Sequence, residues 1–122
     1  MADQELDISP KVFSELAALR AEEKFHARGF YPGAMSESDR RKGEKAVNKM
    51  VDRVVAGLKK SPRKSFVLSE FQTMLDRYDS PESEEREEIC AYCERVMSIV
   101  GIDRSDGLLN RWLYGFDPDK AG

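Results

Sequence analysis

The sequence predicts an all-α protein, a compact bundle of four to five helices with a short C-terminal helix, and three observations carry that expectation. Apolar residues recur at three- and four-residue steps, most clearly at Val47, Met50, Val51, Val54, Val55 and Leu58. Helix start and stop signals bracket each such run. No stretch shows the apolar-polar alternation or the hairpin dipeptides of a sheet. At 122 residues the chain has the size of one domain, residues 1–122, whose ends at 1–8 and 117–122 are expected to fray.

Ser9 followed by Pro10 predicts the first helix, because serine satisfies an orphan amide and proline presets the first helical φ. This helix is expected to run to Gly29, burying Val12, Phe13, Leu16, Leu19 and Phe25, with Phe30 folding back on Phe25 past a left-handed glycine. Pro32 and Gly33 make the next segment a loop. Ser36 with Asp39 resembles a capping box and opens the second helix, which Pro62 ends. The third helix contains Leu68, Phe71, Leu75 and Tyr78; residues 65–68 can open as extended chain before Ser69 and Gln72 cap it.

Ser80 and Pro81 predict the start of a fourth helix, with Glu82, Glu84 and Glu85 favoured by the dipole of its first turn. Ile89, Cys93, Val96 and Val100 mark its inward stripe, and Gly101 closes it with Ile102 reaching Met97. The last helix is expected from Ser105 to Tyr114, burying Leu108, Leu109, Trp112 and Leu113 and closing on Gly115. There the position that should receive Phe116 is Arg111, so Phe116 must find its neighbour on another helix or remain exposed.

Composition narrows the function classes. Hydrophobic residues make up 40% and charged residues 35% of the chain, and no apolar run approaches the ~20 residues of a membrane span. The start "MADQELDISP" lacks the basic and apolar regions of a secretory signal, so a cytoplasmic location is expected. Two cysteines are too few for a disulfide scaffold and fit a reducing compartment. The net charge of −3 is unevenly divided: residues 40–64 carry a surplus of eight positive charges and residues 79–95 a surplus of five negative ones, so the two segments are expected to attract each other.

No catalytic constellation emerges. Cys90 and Cys93 have the spacing of a redox or metal pair, yet His26 is the sole further soft donor, short of a four-ligand zinc site. Both thiols fall well inside a helix behind several glutamates, which oppose thiolate formation, so they are expected to pack as small hydrophobes. His26 falls in the last turn of the expected first helix, where a capping or surface role is expected. "GFYPGAM" lacks the lysine and preceding strand of a phosphate loop. A non-enzymatic protein without cofactor or metal is therefore expected; a small enzyme using His26 or Cys93 is the third choice.

Two binding surfaces remain. Aromatic residues and arginine dominate interface hot spots, and the stretch "NRWLYGF" concentrates them. Leu109, Trp112 and Leu113 are expected to plug the bundle, while Arg111, Tyr114 and Phe116 join Tyr31 at a rim; a protein partner is proposed to contact Tyr31, Arg111, Trp112, Tyr114 and Phe116. The alternative is nucleic acid, with Arg41, Lys45 and Lys49 on phosphates. It ranks second because the chain is acidic overall and no aromatic side chain interleaves with those cations to stack bases.

The ending "GIDRSDGLLNRWLYGFDP" resembles that of a group of small bacterial helical proteins filed as a domain of unknown function. The resemblance covers the final third of the chain. It implies a cytosolic bacterial all-α domain and brings no functional residues with it; an interaction, regulatory or immunity-type role would suit such a protein.

Overall fold

The computed structural model describes residues 3–78 and 83–115, and within them the chain forms five helices and no strand. They are α1 (Pro10–Ala21), α2 (Glu37–Leu58), α3 (Lys64–Arg77), α4 (Ser83–Val100) and α5 (Leu108–Tyr114). The longest, α2, packs against α1, α3 and α4, while α5 closes over α3 and α4. One core results, and Leu16, Val47, Val51, Val54, Leu58, Val67, Phe71, Ile89, Cys93 and Val96 all lie fully inside it. Its centre is the stripe read from α2, except that Val55 faces outward.

The first helix ends at Ala21, eight residues before the expected Gly29. Its terminator is a lysine. Lys24 is fully buried, and its ammonium donates to the carbonyls of Leu19 at 2.6 Å, Glu22 at 2.9 Å and Arg20 at 3.3 Å. They cluster at the helix end, where carbonyls run short of amide partners, although that of Leu19 also accepts the Glu22 amide at 3.2 Å. The backbone of Lys24 is held as firmly: its N–H donates to Glu44 at 2.8 Å, and Arg40 of α2 donates to its carbonyl at 3.1 Å. Burial is the main reason that the Lys24 pKa lies below the ordinary lysine value.

After this knot Phe25 takes a left-handed φ of 66° and turns its ring into the core. Its amide donates to the Tyr92 hydroxyl at 3.2 Å, and its carbonyl accepts from Ala34 at 3.1 Å. The ring reaches α2 where that helix has no side chain: a Cβ on Gly43 would stand 2.7 Å from it. Gly57 makes the same concession to the ring of Phe66 of α3. Phe30 does not fold back on Phe25. Gly29 and Phe30 form the tip of a turn closed by reciprocal bonds between Arg28 and Tyr31, at 3.0 and 2.8 Å, and the Phe30 ring is fully exposed.

Two further boundaries differ from expectation. Residues 3–8 were expected to fray, but Leu6 bonds the Pro62 carbonyl, Lys64 bonds the Gln4 carbonyl, and Asp3 accepts the Ser65 amide at 3.0 Å. Asp3 thus caps α3 from 62 residues away. The third helix consequently starts at Lys64, and Ser69 and Gln72 sit inside it rather than at its cap. The C-terminal helix begins at Leu108, after Asp106 and Gly107 in left-handed conformations, instead of at Ser105.

Other elements follow the sequence closely. The Ser36 hydroxyl accepts the Asp39 amide at 3.0 Å, and Gly101, with φ 89°, lets Ile102 bond the Met97 carbonyl at 2.8 Å. The start signal at Ser80 and Pro81 lies outside the described residues, as do 117–122.

Two stability experiments test this packing. Helix propensity alone credits Gly43→Ala with a gain of about 1 kcal/mol; collision with Phe25 should make it a net loss of about 1–3 kcal/mol in denaturant melts. Adding Phe25→Leu should recover part of that loss, whereas stabilisation by Gly43→Ala alone would contradict the packing described.

Glu44 supplies the second test. Burial pushes its carboxyl up, but the Lys24 amide and the Arg40 guanidinium outweigh burial, so the net shift is downward. Its folded pKa lies below its unfolded one, so this contribution is fully present above the ordinary glutamate range and disappears as pH falls through the folded value. Glu44→Gln should cost about 1 kcal/mol at neutral pH, and its melting curve should converge on that of the parent as acid is added.

A candidate docking groove between α2 and α3

Where α2 and α3 lie side by side, their facing side chains do not quite meet. The gap is a groove of about 250 Å³ with an apolar floor from Ala46 and Met50 of α2, Met74 of α3 and Tyr78 just beyond it. Methionine suits such a floor, being unbranched, polarisable and adaptable in shape. Burial raises the Tyr78 hydroxyl to about 12, so it is neutral at physiological pH.

Cations form the rim. Lys42, Lys45, Lys49 and Arg53 follow at three- and four-residue steps along α2, and Arg77 rises from the last turn of α3. Glu70 is the one acid of the lining, and it is occupied: Arg53 donates to it at 2.7 Å. The Lys42 ammonium lies 5.8 Å from the centre of the Tyr78 ring. Among the described residues, Lys45, Lys49 and Arg77 have no ion-pair partner. Among the described residues, several cations of the basic segment pair with acids outside residues 79–95. Arg40 pairs with Glu37 and Glu44, Arg41 with Glu37, Arg63 with Glu5, and Lys64 with Asp106.

The acids of α4 serve a different purpose. Glu85 and Glu88 are buried, and each takes a side chain from the loop after α1: the Tyr31 hydroxyl donates to Glu85 at 3.1 Å, and Arg28 donates two bonds of 2.9 Å to Glu88. Burial, and then the Glu85 contact, raise the Tyr31 pKa above its ordinary value.

Of the aromatic rim expected from the sequence, Tyr31 and Trp112 are each held by a residue of α4. Tyr31 is half-buried on Glu85, edge-on to Phe25. Trp112 is half-buried under Arg86, whose guanidinium lies 4.5 Å from the ring centre and also donates to the Trp112 carbonyl. No ring contact joins Tyr31 to Trp112 among the described residues. Leu109 is the true plug of α5, with Leu113 half-buried beside it. Arg111 is exposed and bonds the Asp106 carbonyl at 3.1 Å; Tyr114 is exposed; Phe116 lies outside the described residues.

Of the phosphate-contact candidates, Lys45 and Lys49 belong to the groove rim, and Arg41 lies on exposed surface near the start of α2. Sequence reading found these cations but missed the floor of Met50, Met74 and Tyr78, and Arg77 with them. The available signal was Ala46 and Met50 running one place behind Lys45 and Lys49, an apolar edge beside a charged one.

His26 is not in a helix at all, because α1 stops short of it; it sits exposed in the loop, 2.8 Å from a Glu23 carboxylate oxygen. Cys90 and Cys93 are both buried free thiols, and burial raises Cys90 to about 12 and Cys93 well above its ordinary value. Among the described residues, no three His, Cys, Asp or Glu side chains gather as a metal-binding group, and no helix is long and apolar enough to cross a membrane.

Comparison with known proteins places nearly the whole chain in a family of unknown function, consistent with the kind of family its ending resembles. Residues 7–117 match the model of DUF4844, a domain of unknown function. The solved structure of a DUF3571 family protein from Acinetobacter baumannii AYE is similar, with 26% identity and a TM-score of 0.78, over 85% of this chain and 89% of that one. No curated protein matches.

The thiols allow a direct check on burial. A soluble aromatic disulfide at neutral pH should leave both cysteines of the native protein unmodified over hours and label both at once in denaturant. Rapid labelling of the native chain would show that one thiol is accessible and ionised.

Proposed function

We propose that this chain, which belongs to the DUF4844 family of domains of unknown function, is a non-enzymatic cytosolic module that binds another protein. The observation that carries the proposal is the groove between α2 and α3, where an apolar floor meets Lys45, Lys49 and Arg77 with no carboxylate partner among the described residues. Concave apolar surface rimmed by a few polar groups is the usual form of a binding site. The rim centred on Trp112 is the weaker surface, since that ring is stacked under Arg86. A regulatory or immunity-type role is compatible with such a module.

Nucleic acid is the second candidate for the same face. Arg41, Lys45 and Lys49 lie at four-residue steps on α2 and could follow phosphates. Tyr78 is the one ring in the lining, beside two methionines, and a single ring gives successive bases no series of stacking platforms, which counts against it.

A Lys45→Glu, Lys49→Glu double variant tests the proposal. Both side chains are exposed, so its melting temperature should stay close to that of the parent. Affinity capture from native cytosol should lose its specific protein partners with this variant and keep them with Tyr114→Ala. Unchanged capture by the charge-reversed chain would remove the groove from consideration, and salt-sensitive retention of the parent on mixed oligonucleotides would favour nucleic acid instead.

A further inference from the structure

The chemistry of the groove narrows the class of partner, and we infer that the groove takes an acidic amphipathic α-helix of about three turns, its apolar stripe on the methionine floor and its carboxylates against the lysine rim. This inference rests on the docking role proposed for the groove. Length is the first argument. The rim extends from Lys42 to Arg53 along α2, about 16 Å at 1.5 Å per residue, which is three helical turns.

Backbone chemistry is the second argument. Both walls are helices whose amides and carbonyls are used internally, so they offer no strand edge to an extended peptide. Such a peptide would lay its own N–H and C=O groups over methionine without partners, at a cost comparable to lost hydrogen bonds. A helix satisfies its own backbone and presents only side chains, as helix-in-groove recognition requires. A floor of about 250 Å³ admits the two or three large apolar side chains that one face of such a helix projects.

Charge is the third argument. Three rim cations lack an ion-pair partner among the described residues, and the one acid is neutralised by Arg53, so the field over the groove favours carboxylates on the partner. Glu70 also gives the groove a polarity. A bound carboxylate gains little at the Arg53 end, where that cation is already paired, and is drawn toward Lys45, Lys49 and Arg77.

Synthetic peptides test the inference on the full chain. One of about 14 residues places leucines at three- and four-residue steps among glutamates; a second scrambles the same composition, and a third replaces glutamate with lysine. Fluorescence anisotropy should show the first binding at least about ten-fold tighter than either control, about 1.4 kcal/mol. That preference should disappear in the Lys45→Glu, Lys49→Glu variant, with far-ultraviolet dichroism confirming that the variant is folded.

Equal binding of the scrambled peptide would reduce the groove to a charge sink and overturn the helical partner. So would capture of vesicles of anionic phospholipid, or of oligonucleotide, with the same dependence on Lys45 and Lys49 but no peptide binding. If no peptide binds while capture of cytosolic proteins still requires those lysines, the partner class is wrong and the docking role stands. If neither depends on them, both fail.

Discussion

A single buried lysine determines how the first third of the chain is laid out. By donating to three carbonyls at the end of α1, Lys24 terminates that helix where no glycine or proline does so. Its main chain is gripped in the same place by Glu44 and Arg40, which fixes the exit direction of the loop against α2. Everything placed by that loop inherits the constraint: the left-handed turn at Phe25, its ring against Gly43 and Tyr92, and the attachment of Arg28 and Tyr31 to the acids of α4. An ammonium is costly to bury, and the three carbonyls compensate by accepting its hydrogen bonds.

The distribution of ion pairs explains why the groove carries its charge. Arg40, the cation of α2 nearest the loop, is committed to Glu37 and Glu44, which raises its pKa above the ordinary arginine value. The two buried acids of α4, Glu85 and Glu88, are committed to the loop. Those assignments leave the middle of α2 cationic, and it is there that the helix lines the groove with α3. The overall negative charge of the chain conceals this local surplus, since a global sum says nothing about which face a charge occupies.

Periodicity made the helices legible, and local capping chemistry made some of their ends legible too. The α2 stripe from Val47 to Leu58, the Ser36 cap and the Gly101 stop could all be read from neighbours in sequence. What could not be read were ends set by residues remote in sequence: Asp3 capping α3, and Glu44 holding the Lys24 turn. The Gly29 signal misled because glycine serves a tight turn as readily as a helix end. Of the groove, the lysines announced themselves by charge. Its floor did not, because an apolar residue facing a gap and one facing a core have the same spacing, and only the neighbouring helix separates them.

The two missing side chains on α2 have a consequence for how such sequences can drift. At positions 43 and 57 the helix backbone itself is the surface that receives an aromatic ring from elsewhere, Phe25 in one case and Phe66 in the other. Each glycine is thus half of a lock whose other half lies many residues away, and neither half is free to mutate alone. In homologous chains positions 25 and 43, and likewise 57 and 66, should change as couples: where the ring shrinks the helix can acquire a methyl group, and where the ring persists the bare backbone must persist with it.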